Sequence, residues 1–168
     1  RALFEKLTLE GFQAGLSWIT ILRKRENFRK AFHGFDAARI ARFGERDIAR
    51  LMNDEGIIRN RAKIEATISN AKAYLALSEK VSFSHFLWGL IDGRPVINKL
   101  QSFKDAPTET DTSKRMSKAL KNAGFRFVGS TTLYAFMQST GMVNDHIVTC
   151  FRHAPCAKLQ KSLKIEGL

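Results

Sequence analysis

A short segment near the start of the chain combines residue types that could hold a flat, electron-poor group. In Leu9-Glu-Gly-Phe-Gln-Ala-Gly-Leu-Ser-Trp18, one acidic side chain stands with two glycines, an amide and a tryptophan. A carboxylate accepts hydrogen bonds from amino groups and attracts positive charge, and an aromatic ring stacks on an extruded base. Gly15 and Leu16 form a narrow apolar tip that can fill a gap in a duplex. The alternative is a surface Glu10 and a core Trp18.

The charge of the whole chain points to a polyanionic partner. Its 168 residues include 28 Lys and Arg against 16 Asp and Glu, a formal net charge of +12. Such an excess favours nucleic acid, because the phosphate backbone attracts cations whatever its base sequence. Two alternatives stay open: the charge could only aid solubility, or it could bind an anionic membrane surface without any enzymatic activity.

Composition also bounds the class of protein. Hydrophobic residues make up 44% of the chain, which excludes a disordered tail and is typical of a folded domain. No apolar run approaches the roughly 18 residues of a membrane span, and no signal-peptide pattern is present. Cys150 and Cys156 are the only cysteines, which favours a reducing, cytoplasmic compartment. Because Arg1 already lies in a predicted helix, we expect that an N-terminal segment is missing.

Helical periodicity extends along nearly the whole chain, and no strand pattern is sustained. In the clearest helix, predicted over 61–77, one stripe contains Ile64, Ile68, Ala71 and Leu75. Caps and glycines delimit the other predicted helices, which cover 3–9, 17–32, 36–43, 45–52, an aromatic stretch after Ser82 or Ser84, 112–123 or 113–123, 130–140, and one more beginning at Asn144 or Asp145. The pattern predicts an all-α fold of about eight helices.

The turn between two of these helices could hold a phosphate. Gly56 allows a tight turn after the helix over 45–52, and Arg59, Arg61 and Lys63 stand near the start of the next helix. A helix N-terminus offers unpaired N–H groups and a favourable dipole to an anion. This arrangement is typical of a helix-hairpin-helix element, which contacts the DNA backbone without reading bases. The alternative is an ordinary helix–helix loop, and the net charge of the chain favours the DNA element.

A second basic surface is predicted on a later helix. Lys114, Arg115, Lys118 and Lys121 share its solvent face, and no acidic residue occurs between positions 113 and 127. Many charged helix faces are only solvated, but the absence of interleaved acids also allows a phosphate contact.

A histidine and a cysteine lie at a spacing that zinc sites use. His146 and Cys150 are four residues apart, so a helix would place both side chains on one face. Asp145 could orient a ligand, and His153 and Cys156 are further candidates. Zinc takes four ligands and this pair supplies two. The alternative to a zinc site is that Cys150 is a buried cysteine that lies beside His146.

Taken together, these segments resemble the DNA-3-methyladenine glycosylase I family of bacterial alkylation-repair enzymes. The matching motifs run in the family's order up to about Cys150: Leu9-Glu-Gly-Phe-Gln-Ala-Gly-Leu-Ser-Trp-Ile-Thr20, Lys24-Arg-Glu-Asn-Phe28, Gly56-Ile-Ile-Arg59, Ser117-Lys-Ala-Leu-Lys121, Gly124-Phe-Arg-Phe-Val-Gly129, Phe136-Met-Gln138 and Gly141-Met-Val-Asn-Asp-His146. Several of these motifs are long and unusual, so the resemblance is specific.

The resemblance implies a helix-hairpin-helix DNA glycosylase domain over residues 1–157 and a C-terminal tail over 158–168. It implies a monomeric, monofunctional enzyme that flips 3-methyladenine out of alkylated double-stranded DNA and hydrolyses its N-glycosidic bond. The family lacks the catalytic aspartate that is usual in other helix-hairpin-helix glycosylases. That absence is tolerable because a cationic nucleoside has a labile glycosidic bond, so binding and charge stabilisation can supply most of the catalysis.

The resemblance also implies roles for residues of this chain. Glu10 is the catalytic residue, which contacts the edge of the base as an electrostatic and selectivity group. The base pocket is completed by Trp18 and Phe12, and the wedge that enters the duplex is formed by Gln13, Gly15 and Leu16. The expected contacts to the DNA backbone come from Gly56, Arg59, Arg61, Lys63, Lys114 and Lys118. A structural zinc is held by His146 and Cys150 together with ligands of the missing N-terminal segment.

One motif departs from the commonest hairpin signature. Gly56-Ile-Ile-Arg59 lacks the second glycine of that signature, so its contact with DNA would be less standard. The alternative function is a non-catalytic helix-hairpin-helix module that keeps the fold and the basic face but excises no base.

Overall fold

The chain folds almost entirely into helices, as predicted. The computed structural model describes residues 1–165. Within them lie α1 (Ala2–Gln13), α2 (Trp18–Ala31), α3 (Ala37–Ile40), α4 (Glu45–Met52), α5 (Arg61–Ser78), α6 (Phe83–Gly89), α7 (Asp111–Asn122), α8 (Ser130–Ser139) and α9 (His153–Ser162). Short 3-10 turns lie at His33–Phe35 and Phe103–Asp105. None of the described helices is long and apolar enough to cross a membrane.

A two-stranded parallel pairing joins two distant segments of the chain. Strand β1 (Val96–Ile97) pairs with β2 (Val143–Asn144), and Val96 N donates to the Met142 carbonyl at 2.9 Å. The pairing attaches the irregular segment between α6 and α7 to the chain that leaves α8. Two-residue strands are too short for apolar alternation, so the sequence pattern did not predict them.

Two apolar clusters form the interior, and α1 contributes to both. The first cluster packs α1 against α2 to α5, and it contains Phe4, Leu9, Phe12, Phe28, Phe32, Ile40, Leu51 and Ile64. The second cluster packs α1 against α6 to α8, and it contains Leu7, Leu87, Met116, Leu120, Leu133 and Phe136. Because α1 lies between the clusters, polar residues on it are buried as well: Glu5, Thr8 and Glu10.

An ion-pair cluster fixes α2 against α1. Glu5 Oε1 accepts hydrogen bonds from Arg25 Nε at 2.8 Å and from Arg29 Nε at 3.0 Å. Burial raises the pKa of Glu5, but the hydrogen bonds and charges of Arg29 and Arg25 outweigh it, and the net shift is downward. The pairing holds the second half of α2 beside α1.

The helix expected to begin at Asn144 or Asp145 does not form there. Asn144 belongs to β2, and the next helix begins only at His153. Asn144 Oδ1 accepts a hydrogen bond from His146 N at 3.2 Å in a local turn, and its Nδ2 donates to the His153 carbonyl at 3.0 Å. Asp145 accepts hydrogen bonds from Asn98, Tyr134 and Gln138 at 2.6–2.7 Å. Because distant residues hold both carboxylate oxygens of Asp145, this side chain does not cap a local helix.

The predicted boundary between residues 157 and 158 falls inside α9 (His153–Ser162). Pro155 lies in the first turn of this helix, where proline is tolerated. Gln160 is buried, and its Nε2 donates to the Gly141 carbonyl at 2.8 Å. This contact packs the helix against the domain. Residues 166–168 of the predicted tail lie outside the described residues.

Candidate functional site

Glu10 is fully buried on α1, with one oxygen paired and the other unpaired. Its Oε1 accepts a hydrogen bond from Ser139 Oγ of α8 at 2.9 Å and lies 3.3 Å from Lys6 Nζ. Its Oε2 has no hydrogen-bond partner. Buried polar atoms are nearly always hydrogen-bonded, and an orphan acceptor costs about 1–3 kcal/mol. The Oε2 atom of Glu10 is therefore an acceptor that the described residues leave unused.

Trp18 and Lys6 lie beside this carboxylate. Lys6 precedes Glu10 by one helical turn, and its Nζ lies 4.3 Å from the centroid of the Trp18 ring. Trp18 begins α2 and is partly buried against the first cluster. The Lys6 ammonium therefore contacts a carboxylate and the face of an indole at once, and both attract positive charge. The Glu10 carboxylate and the Trp18 indole would also suit a flat, cationic ligand.

Opposing effects act on the ionisation of Glu10. Burial raises the pKa of the Glu10 carboxyl, whereas the charge of Lys6 and the hydrogen bonds from Ser139 and Lys6 lower it, and the net shift is upward. An acid with a raised pKa in the folded state contributes most to stability when it is neutral. A bound cation would favour the ionised form. Ligand charge and the protonation of Glu10 are therefore linked.

Phe12 does not line this site, contrary to the prediction. Its ring is buried in the first cluster, 4.8 Å from the Phe28 ring and 6.0 Å from the Phe32 ring by centroids. Two residues along a helix correspond to a rotation of about 200°. Phe12 therefore points away from the side chain of Glu10, and it belongs to the core.

The predicted wedge residues form an exposed tip between α1 and α2. Gly15 has a φ of +82°, a conformation that favours glycine. Gln13 Nε2 donates to the Leu16 carbonyl at 2.5 Å, and Leu16 N donates to the Gln13 carbonyl at 2.7 Å. The Leu16 side chain is 38% exposed. Leu16 thus presents an apolar side chain on a narrow turn six residues after Glu10, and its role as a wedge stays a prediction.

The turn between α4 and α5 uses its polar groups internally. Gly56 N donates to Asp54 Oδ1 at 2.8 Å, so this amide is not available to a phosphate. Both arginines of the predicted phosphate contact are paired with nearby acids: Arg59 with Glu55, and Arg61 with Glu45 and Glu65. The turn therefore offers an anion neither the Gly56 amide nor uncompensated arginine charge.

Lys63 points into the protein, so the prediction of an outward phosphate ligand is wrong in its geometry. The residue is only 9% exposed. Its Nζ donates to the carbonyls of Phe12 at 2.9 Å and Ala14 at 2.7 Å. Lys63 shares a buried polar stripe of α5 with Thr67 and Asn70, and this stripe faces inward because of the tertiary packing of α5.

A basic cleft lies between α7 and the start of α8. It is lined by Lys114, Lys118, Lys121 and Ser130. Gly129 is the N-cap of α8 and supplies no side-chain hydrogen bond to that helix. Lys114 pairs with Glu109 at 3.3 Å, but the ion pairs found among residues 1–165 include neither Lys118 nor Lys121. The cleft therefore combines uncompensated charge with an uncapped helix N-terminus, which suits a phosphate.

The connection between α7 and α8 is a rigid hairpin bounded by two glycines. Gly124 has a φ of +91°, and Gly129 ends the hairpin. Asn70 of α5 holds it from below: its Nδ2 donates to the Arg126 carbonyl at 2.9 Å, and its Oδ1 accepts from Arg126 N at 2.7 Å. The paired glycines, which the turn at Gly56 lacks, are the sequence signal that could have identified this hairpin.

His146 and Cys150 approach each other although their segment is not helical. Nδ1 and Sγ are 3.6 Å apart. Two ligands of a tetrahedral zinc, with Zn–N near 2.1 Å and Zn–S near 2.3 Å, are also separated by about 3.6 Å. The pair therefore fits half of a zinc site. Among the described residues, no group of three or more His, Cys, Asp or Glu could hold a metal, so His153 and Cys156 do not complete a set.

Two residues of the Glu10 site were not predicted from the sequence. Lys6 could have been found, because residues i and i+4 of a helix are neighbours. Ser139 lies 129 positions from Glu10, and no local pattern links them.

Comparison with known proteins places the chain among base-excision enzymes. The model of the methyladenine glycosylase family matches residues 1–153. The DNA-3-methyladenine glycosylase of Haemophilus influenzae is 52% identical over 155 residues, which cover 92% of this chain and 82% of that protein. DNA-3-methyladenine glycosylase 1 of Escherichia coli is 49% identical over 151 residues, which cover 89% of this chain and 81% of that protein.

Solved structures give the same relationship. A crystal structure of 3-methyladenine DNA glycosylase I matches with a TM-score of 0.89 and 53% identity, covering 91% of this chain and 85% of that one. A structure on 3-methyladenine recognition by the Staphylococcus aureus enzyme matches with a TM-score of 0.87 and 38% identity, covering 90% of this chain and 81% of that one. The chain belongs to the methyladenine glycosylase family.

Proposed function

We propose that this chain is a DNA-3-methyladenine glycosylase, which hydrolyses the bond between the damaged base and its deoxyribose. The products are the free base and an abasic site. The observation that carries this proposal is the buried Glu10, whose Oε2 is unpaired and whose ion-pair partner lies over the Trp18 ring. Relatives at 52% and 49% identity are named for this activity, which supports it.

The chemistry needs little more than charge stabilisation. Methylation at N3 makes the nucleoside cationic, so the bond from N9 to C1′ breaks with its electron pair going to the base, which leaves neutral. Water adds to C1′ and releases one proton to the solvent. Positive charge moves toward the sugar in the transition state, and a nearby anion stabilises it. Glu10 supplies that anion, and its Oε2 accepts a hydrogen bond from the base. The Trp18 ring stacks on the base. An unmethylated, neutral adenine gains less from these contacts, which favours the damaged base.

We assign the contact with the DNA backbone to the α7–α8 hairpin instead of the α4–α5 turn. Lys118 and Lys121 are uncompensated, and the start of α8 carries no side-chain cap. These features hold phosphates without reading bases. Leu16 then enters the duplex where the flipped base has left. The helix-hairpin-helix element of this chain is therefore α7, the glycine-bounded turn and α8.

We further propose that His146 and Cys150 are ligands of a structural zinc. An imidazole and a thiolate are donors that zinc prefers, and their separation of 3.6 Å fits adjacent ligands. A structural zinc adds folding free energy and takes no part in the hydrolysis. The two residues would hold the segment between β2 and α9.

We also infer a monomeric, cytoplasmic enzyme. One copy of the chain contains Glu10, Trp18, the tip and the basic cleft. Its two cysteines are free thiols, as expected in a reducing compartment.

Replacing Glu10 with Gln should lower base excision and binding of the base together. The variant keeps the size of the side chain but loses a charged hydrogen bond, so we expect a loss of roughly 10- to 100-fold. The measurements are single-turnover release of 3-methyladenine from methylated duplex DNA and affinity for the free base.

The matched control is Glu26→Gln, which neutralises an exposed carboxylate of α2 and should leave both quantities unchanged. If Glu10→Gln bound the base normally but released none, Glu10 would act on water instead. A wild-type protein that binds duplex DNA and releases no base would be a non-catalytic binding module.

Replacing Lys6 with Met should raise the pKa of Glu10 further, because the charge of Lys6 lowers it. Because the pKa of Glu10 is higher in the folded state than in the unfolded state, its contribution to folding stability is fully present at pH values below the unfolded-state pKa. That contribution is lost as the pH rises through the folded-state pKa. Lys6→Met should therefore lose stability at neutral pH relative to pH 4. Carbon NMR titration of the Glu10 carboxyl and urea unfolding at both pH values check this, with exposed Lys80→Met as the control. An unchanged Glu10 titration would contradict the coupling.

Reversing two charges of the basic cleft should weaken binding to duplex DNA. We expect Lys118→Glu with Lys121→Glu to reduce affinity roughly tenfold or more and to reduce the slope of log affinity against log salt by about two. The control variant reverses the charges of two exposed lysines, Lys72 in α5 and Lys80 just after that helix. It therefore has the same net charge as the cleft variant. A comparison variant reverses Arg59 and Arg61. A larger loss in that comparison variant would return the backbone contact to the α4–α5 turn.

Zinc content should depend on His146 and Cys150. In protein that also supplies the two remaining ligands, we expect about one zinc per chain, which is lost in His146→Ala and in Cys150→Ser and retained in Cys156→Ser. Mass spectrometry of the metal and thermal melting with and without a chelator measure the effect. Wild-type protein free of zinc, or zinc retained after Cys150→Ser, would contradict the assignment.

A further inference from the structure

Lys63 is a buried cation whose partners are backbone carbonyls. Its Nζ donates to the Phe12 and Ala14 carbonyls, which lie 51 and 49 positions away in sequence. These groups end α1, where the last carbonyls have no partner within the helix. The positive charge also interacts favourably with the C-terminal end of the helix dipole. Burial lowers the pKa of the Lys63 ammonium, so this arrangement is costly and calls for a specific use.

The tip formed by residues 13–16 has few other hydrogen bonds that connect it to the rest of the protein. Gln13 and Leu16 bond to each other within the tip. Nothing lies within 4 Å of a Cβ built on Gly15. In the part of the chain that the structure describes, the hydrogen bonds that join the carbonyls of residues 12–16 to another element come from Lys63. Lys63 therefore supplies the hydrogen bonds that link the tip to α5, in addition to the apolar packing of α1 on that helix.

We propose that Lys63 is a positioning residue that braces the tip formed by residues 13–16, so that Leu16 can push into the duplex. The inference rests on the proposed function, because a brace matters only if the tip is loaded by DNA. An inserted side chain is pushed back by the base stack, and a turn held only by its own hydrogen bonds would yield. Displacement of about 1 Å at such a site can cost roughly 100-fold in rate.

The test compares DNA in which the base must be flipped with DNA in which it is already free. Lys63→Met keeps the length of the side chain and removes its donors. We expect single-turnover excision of 3-methyladenine from duplex DNA to fall roughly 10- to 100-fold. Excision from single-stranded DNA should change by less than about threefold, and affinity for free 3-methyladenine should not change, because neither needs the wedge. Lys63→Arg should recover much of the duplex rate.

Two further measurements separate bracing from a general structural role. Leu16→Ala should give the same pattern as Lys63→Met, and the double variant should lose little beyond Leu16→Ala, because both changes remove one function. Fluorescence of 2-aminopurine placed beside the lesion should show less unstacking of duplex DNA by Lys63→Met. If Lys63→Met does not fold, Lys63→Gln, which keeps one shorter donor, undergoes the same comparisons.

Several outcomes would overturn the proposal. Equal losses on duplex and single-stranded DNA with weaker binding of the free base would show that Lys63 shapes the pocket. Additive effects of Lys63→Met and Leu16→Ala would show that the two act independently. A loss of duplex affinity with a reduced salt slope would make Lys63 a phosphate ligand. If wild-type protein released no base at all, the proposed function would fail, while the fluorescence measurement would still test the brace.

Discussion

The buried carboxylate of Glu10 constrains the elements around it. Burial favours its neutral form, and one oxygen has no partner, so the free protein is less stable than it could be. The apolar clusters on the two sides of α1 offset this cost. The remaining partners come from three elements: Lys6 of the same helix, Ser139 of α8 and, through Lys6, the ring of Trp18. The fold thus keeps one acceptor ready for a ligand.

The distribution of positive charge follows a similar division between structure and ligand binding. Arg25 and Arg29 form ion pairs with Glu5. Arg59 and Arg61 form ion pairs with neighbouring acidic residues. The charge of Lys63 is buried against backbone carbonyls. By contrast, Lys118 and Lys121 stay exposed in a cleft beside an uncapped helix. A large net charge therefore does not by itself locate a DNA contact, because several of the cations have partners within the protein.

Much of the fold could be predicted because helices are encoded locally. The stripe through Ile64, Ile68 and Ala71 predicted residues 61–77, and α5 spans Arg61–Ser78. The prediction was wrong where side chains with local capping potential bond to distant residues. Asp145 is the clearest example, since Asn98, Tyr134 and Gln138 hold its carboxylate away from a helix start. Local helix propensity does not decide the structure where hydrogen bonds to distant residues satisfy the polar atoms that would cap the helix.

By itself, the sequence determined the helical class, the family motifs and the identities of Glu10, Trp18 and Leu16 as candidate site residues. Only the tertiary structure decided which residues face the site. It placed Phe12 in the core, turned Lys63 toward α1 and brought Ser139 to Glu10 across 129 positions. The physical reason is that helical periodicity fixes which residues share a face. Which face is buried, and against what, depends on packing between helices that are far apart in the chain.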